Sequence, residues 1–184
     1  MTAHGVLILS NVAATNVDSY NRSVVTGSDI DVDNGHIFPL ASQSSLSGYS
    51  EVWSFGVTSG SDHDLWMAYE PEIVLTSAKY RGIDPDPRNF YNASGTTVSG
   101  SVVFSAYLPR IGDVITVTAA ALSGSPSTGD YVNSIAKSCV LTWGAGMGSF
   151  LSYKLIKETY ISIGTGGLGD TNRVLAYKLA CVSV

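Results

Sequence analysis

The chain has 184 residues, a formal net charge of −5 and only 14% charged residues. That length carries one substantial core, and nothing in the composition requires two independent domains. With a pI near 4.9 and no run of Lys or Arg, the sequence lacks the clustered cations that a phosphate-backbone binder uses to displace counterions, so no nucleic-acid partner is expected. A mean hydropathy of +0.19 with so few charges leaves Ser, Thr, Gly and Asn to cover the surface. A water-facing monomer usually carries more charge, so part of this surface is expected to be buried in an assembly.

In chain order, Met1 to Ser10 contains a short apolar run and no basic n-region, which does not read as a signal peptide. No apolar run reaches membrane-spanning length, and no membrane partner is expected. Residues 1–28 read as an extended N-terminal arm and 29–184 as a β-rich domain. Within Asp29-Ile-Asp-Val-Asp33 strict alternation gives one wet and one buried face. Asn34-Gly35 then supplies the residues of a type I′ hairpin turn. A Ser-rich loop from Ala41 to Gly48 precedes a strand over Glu51 to Val57 with Trp53, Phe55 and Val57 on one face. Ser59 to Asp64 is a polar turn, and Leu65 to Leu75 is an apolar segment in which Pro71 marks an edge, a bulge or the break between two strands.

Arg81 to Gly100 holds two X-Pro steps and several turn formers, which predicts a long loop, and loops of that length are more often functional than idle. Ser101 to Tyr107 and Asp113 to Thr118 predict strands around a Leu108 to Gly112 turn, the second strand being β-branched throughout after the aspartate. Thr118 to Leu122 allows one short helical turn, stopped by the Ser/Gly/Pro cluster that follows. Tyr131 and Val132, Cys139 to Trp143, Phe150 to Ile156, Thr159 to Ile163 and Arg173 to Val184 complete the strands. Short strands, frequent turns and no amphipathic helix predict an all-β, single-domain β-sandwich or β-barrel with long loops.

No motif predicts catalysis, a cofactor or a metal. Gly164-Thr-Gly-Gly-Leu-Gly169 has dinucleotide-loop spacing, but Asp170 to Tyr177 after it reads as a strand rather than the phosphate-holding helix, so a hairpin loop is the better reading. Asp29, Asp31 and Asp33 resemble the start of a calcium loop, yet the glycine falls late and Leu40 stands where the bidentate Glu belongs. Asp62-His63-Asp64 reads as a polar turn, since one His is too few for a typical transition-metal site. Glu51, Glu70, Glu72 and Asp113 could pair as acid and base only by chance convergence. His4, His36 and His63 accompany no nucleophile. Cys139 and Cys181 lie in apolar strand settings and predict buried free thiols in preference to a disulfide, which would require an oxidising compartment that nothing else in the sequence suggests. The Tyr and Trp residues predict core packing, with some left for an interface or for stacking on sugars. Asn21-Arg-Ser23 and Asn92-Ala-Ser94 are formal glycosylation sequons that a chain without a secretory signal does not use.

Several motifs in order resemble those of head-associated, or capsid decoration, proteins of tailed bacteriophages. They are Asn34-Gly35, Pro71-Glu72, Asn92-Ala-Ser-Gly95, Tyr107-Leu108 with Gly112-Asp-Val-Ile115, Thr118, and Gly129-Asp-Tyr-Val132. The chain departs from that pattern by an added segment from Thr96 to Ala106 and a longer N-terminal portion. The resemblance implies a structural virion protein, made in the host cytoplasm, that binds the major capsid protein at the capsid surface, as a homo-oligomer and without catalytic residues or cofactors. A glycan- or receptor-binding β module on the virion, using aromatics of the Arg81 to Gly100 loop, is the alternative expectation.

Overall fold

The computed structural model describes residues 5, 7, 20–26, 32–43, 51–59, 62–69, 73–76, 79–83, 103–126, 129–162 and 173–184. They form strands β1 (Asn21–Thr26), β2 (Ile37–Gln43), β3 (Trp53–Phe55), β4 (Leu65–Ala68), β5 (Ile73–Thr76), β6 (Lys79–Ile83), β7 (Val103–Tyr107), β8 (Val114–Thr118), β9 (Leu122–Ser123), β10 (Tyr131–Asn133), β11 (Leu141–Gly144), β12 (Ser152–Ser162) and β13 (Arg173–Ser183). A 3-10 turn at Ala119–Ala121 stands where the short helical turn is expected. The fold is all-β, and it combines both expected forms in part: a closed barrel in the order β1-β3-β2-β4-β7, and a sheet in the order β8-β13-β12-β10-β11-β9. In the barrel only β1 and β3 run parallel; the other four pairs are antiparallel. β5 and β6 form a separate antiparallel pair.

Period-2 alternation explains how barrel and sheet join. On β4, Trp66 and Ala68 enter the barrel core, whereas Leu65 and Met67 enter the core beneath the sheet. Phe38 and Ile37 divide in the same way, as do Ala106 and Tyr107. A strand buried on both faces reads as a continuous apolar run, as Leu65-Trp-Met-Ala68 does. Inside the barrel Phe38, Phe55 and Phe104 form an aromatic cluster with ring centroids 4.3–5.8 Å apart. Under the sheet, Tyr153, Ile115, Leu179 and Leu141 are fully buried with Met67 and Tyr107. Tyr107, Tyr153, Trp66, Trp143 and Tyr177 are core residues, and both cysteines are buried and free, all as the sequence predicts.

Two expectations need correction. Asn21–Thr26, assigned to the extended arm, is a barrel strand: it pairs with β7 over five residues, Asn21 to Val25, and with β3 from Val24 to Thr26. Only Val24 and Val25 are apolar there, and they are adjacent, so each faces a different side and the sequence shows no alternation. Further upstream, Leu7 is 2% exposed and bridges Val117 of β8, so this part of the arm docks on its own chain. The Asn34-Gly35 turn is also not type I′. Gly35 has φ +85°, but Asn34 is not among the residues with positive φ. With the His36 amide donating to the Asp33 carbonyl at 3.1 Å, this is the type II arrangement, which needs positive φ only at its third residue. The strand after it pairs with β3 and β4. Asp29, Asp31, Pro71 and residues 84–102, hence most of the expected long loop, lie outside the described residues.

Candidate functional site

A cleft of about 280 Å³ opens on the β1–β7 seam of the barrel, lined by Asn21, Arg22, Ser23, Tyr69 and Ser105. The register builds it. Ser23 lies directly opposite Ser105, which sets their side chains about 5 Å apart on one face. Val24 of β1 and Phe104 of β7 belong to the barrel core, so by alternation Ser23 and Ser105 face outward. Asn21 stands two residues from Ser23 on that same face. Tyr69 forms the adjoining wall: its amide donates to the Ser105 carbonyl at 2.9 Å and its hydroxyl to Asn21 Oδ1 at 3.2 Å. An edge-to-face contact with Tyr107, 5.7 Å between centroids, fixes the ring.

Arg22, between Asn21 and Ser23, falls by the same alternation on the opposite face of β1, the face of Val24. Its guanidinium lies 5.5 Å from the ring centroid of Trp66, and its Nη1 donates to the Asn21 carbonyl at 2.8 Å. A guanidinium carries five N–H donors; the others have no acceptor among the described residues, and Arg22 is exposed. A second stacked arginine stands nearby in the chain fold. Arg110 lies 4.6 Å from the centroid of Tyr20, the residue preceding β1, whose carbonyl accepts from the Leu108 amide at 2.7 Å. Arg110 is presented by a closed turn: its amide donates to Asp113 Oδ2 at 2.8 Å, the Asp113 amide returns to the Arg110 carbonyl at 3.0 Å, and Gly112 adopts φ +97° between them.

The arrangement holds polar groups for recognition rather than a nucleophile with its base. Elsewhere Tyr107, Tyr153, Cys139 and Cys181 are titratable groups buried in the core. The Tyr107 hydroxyl donates to Met67 Sδ at 3.6 Å, and burial pushes its pKa far above the ordinary tyrosine range. Burial does the same to Tyr153, whose hydroxyl meets no hydrogen-bond partner among the described residues. Burial pushes the Cys139 thiol to about 11. Burial and then the Asp113 charge push Cys181 to about 12, so neither thiol is a ready nucleophile.

The residues weighed from sequence fall elsewhere. The Asp62 carboxylate closes its own turn, accepting from the Ser59 amide and, at 2.8 Å, from the Ser59 hydroxyl. His63 packs edge-on against Phe150 with centroids 5.3 Å apart. Asp33 accepts from the Gly5 amide at 3.1 Å, and the His36 ring accepts from the Asp33 amide at 3.1 Å. Glu51 is exposed, and Asp113 caps the Arg110 turn. His4, Glu70 and Glu72 lie outside the described residues. Among the described residues no three His, Cys, Asp or Glu side chains gather to hold a metal ion. The glycine run at 164–169 also lies outside them; the strands on either side of it, β12 and β13, pair antiparallel. Asn21 and Ser23 were visible in the sequence only as ends of a sequon, and Arg22 as its middle residue; pairing of β1 with β7, which no local pattern encodes, makes them a site. Comparisons with known protein families, with curated proteins and with solved structures find no match to this chain.

Proposed function

We propose that this chain is a structural virion protein that binds the assembled head of a tailed bacteriophage through the major capsid protein, working as a homo-oligomer on the capsid surface. The observation that supports docking on a larger assembly is apolar area held out to solvent by regular structure. Ile156 is 51% and Tyr160 56% exposed on β12. β12 and β13 run together for eleven residues each, the longest strands of the fold, and Ile156 sits at the register shift between Leu155 and Lys157. Met147, 59% exposed, is carried on a loop that Asn133 locks. The Asn133 amide donates to the Gly146 carbonyl at 2.9 Å, and its Oδ1 accepts from the Gly148 amide at 3.0 Å and the Ser152 hydroxyl at 2.8 Å. Apolar side chains on rigid backbone bind at low ordering cost. The choice of a phage head as the lattice rests on the sequence motifs, and the low charge content agrees with a surface partly covered in an assembly.

The test is co-sedimentation with assembled heads lacking this protein. Wild type is expected to pellet with them, and the double variant Ile156→Asp, Tyr160→Glu to remain in the supernatant while keeping its circular dichroism. Wild type that stays in the supernatant contradicts the proposal; a variant that still pellets removes β12 from the contact.

A further inference from the structure

We infer that the outer face of the β12–β13 ribbon is a contact surface for an acidic protein partner, one that sets carboxylates around an apolar spot. This face lies on the docking strand proposed above and rests on that reading for the existence of a partner. Register sorts its charges by side. Leu155 packs on the core beneath the sheet opposite Leu179, and Glu158 lies opposite the core residue Tyr177, so both face inward. Lys154 lies opposite Ala180 and Lys157 opposite Lys178, the two residues that flank Leu179, so the three lysines face outward together. The register shift between Leu155 and Lys157 brings this about: without the extra residue, Lys154 and Lys157, three apart, would fall on opposite faces. Ile156 is that extra residue. It follows the inward-facing Leu155, is 51% exposed, and stands on the outer face between the two lysines.

Three of the chain's five lysines are thereby gathered on one face of one sheet, in a chain of net charge −5. Glu158 is the one carboxylate among the described strands of that sheet, and it faces the other way. Lys157 and Lys178 are directly opposed, an arrangement that destabilises a strand pair. An acidic partner offsets that cost, because each ammonium then gains a counter-charge. Lys154 is held over the ring of Tyr131, its register neighbour on β10, at 5.8 Å from the centroid. Ile156 amid these cations repeats the anatomy of a protein interface, an apolar centre within a polar rim. A phosphate backbone would meet the ammonium groups and leave Ile156 in water. Any extended anionic surface, backbone or membrane, is also repelled by the remainder of this acidic chain. A protein surface with carboxylates around an apolar side chain satisfies both parts of the face.

The experiment is co-sedimentation of the full chain with assembled heads lacking it, in about 0.1 M and about 1 M sodium chloride, between which the screening length falls from about 10 Å to about 3 Å. Wild type is expected to bind about tenfold or more weaker at the higher salt, as three ion pairs are screened together, whereas an apolar contact does not weaken with salt. The triple variant Lys154→Glu, Lys157→Glu, Lys178→Glu should stay in the supernatant at the lower salt with its circular dichroism unchanged. Lys157→Gln alone should weaken binding about two- to threefold while its urea midpoint stays at or above that of wild type, since Lys178 loses the like charge opposite it. That variant decides the matter even where the triple one fails to fold. Binding that is unchanged by salt, or unchanged in both variants, overturns the cationic contact and leaves docking on heads standing. Wild type that pellets at neither salt overturns docking and this contact with it. Displacement of the bound chain by an oligonucleotide or by phosphatidylserine vesicles assigns the face to a phosphate-bearing partner and overturns the acidic protein surface.

Discussion

Replacing Thr58 with valine removes one hydroxyl and, in doing so, loosens a tie between the barrel and the sheet. Thr58 follows β3 and is 1% exposed. Its Oγ1 donates to the carbonyls of Ile135 at 2.5 Å and Ser138 at 2.9 Å, and accepts from the Ser138 amide at 3.4 Å. The Thr58 carbonyl accepts from the Lys137 amide at 2.7 Å. These bonds clamp the connection between β10 and β11, where Lys137 holds φ +60°, a conformation that side-chain-bearing residues adopt only when their surroundings enforce it. Beside it the Ile37 amide donates to the Cys139 carbonyl at 2.7 Å. Valine keeps the volume but strands two carbonyls that share one donor. A buried polar group left without its partner costs about 1–3 kcal/mol, so the substitution is expected to cost about 2–3 kcal/mol. For a chain of this size that corresponds to a fall in Tm of about 4–12 °C. Thr58→Ser retains the hydroxyl and should cost less than about 1 kcal/mol, the value of one buried methyl group. Urea unfolding of the three proteins, with hydrogen exchange at the Lys137 and Ser138 amides, measures both quantities. A valine variant within about 0.5 kcal/mol of wild type, a difference ordinary for surface substitutions, or a serine variant as unstable as the valine one, would refute the clamp.

Two further outcomes follow from burial. Cys139 and Cys181 rise to about 11 and about 12 from a free-thiol value of 9.0, and Tyr107 and Tyr153 rise above 10.0. Each group holds its proton more tightly folded than unfolded, so its contribution to stability is complete below its unfolded value and is lost as pH climbs through the folded one. The urea midpoint should therefore fall with alkalinity from pH 9.0 upward; a midpoint that rises there would contradict the assignment. Deleting residues 1–28 removes Leu7 from the core and β1 from the barrel. Losing a buried leucine side chain alone costs about 2–5 kcal/mol, and an opened barrel exposes two strand edges. This truncation should be unfolded by circular dichroism, whereas a folded truncation would restore the reading of residues 1–28 as a dispensable arm.

What the sequence revealed depended on how many faces of each strand were buried. β8, with Ile115 and Val117 inside and every residue β-branched, was legible at once. β12 read as two strands ending at Ile156 and restarting at Thr159. It is a single strand, and the register shift at Leu155/Lys157 breaks the alternation without breaking the pairing. β1 left almost no signal, because its apolar pair is adjacent and its other positions are polar. The cleft depends on that strand, so it could not be foreseen: Ser23 becomes significant only when Ser105, far along the chain, is set opposite it. The Asn34-Gly35 turn was placed correctly but typed wrongly, since the dipeptide permits positive φ at both residues while the turn uses it only at Gly35. The buried thiols were legible because both cysteines sit among apolar strand residues.

Docking on a phage head is tested most directly by composition of the particle. Purified virions analysed by quantitative mass spectrometry should contain this chain in one fixed ratio to the major capsid protein, unchanged between preparations and retained through a density gradient. Its absence from purified particles, or a ratio that falls toward zero as purification proceeds, would contradict the proposed function.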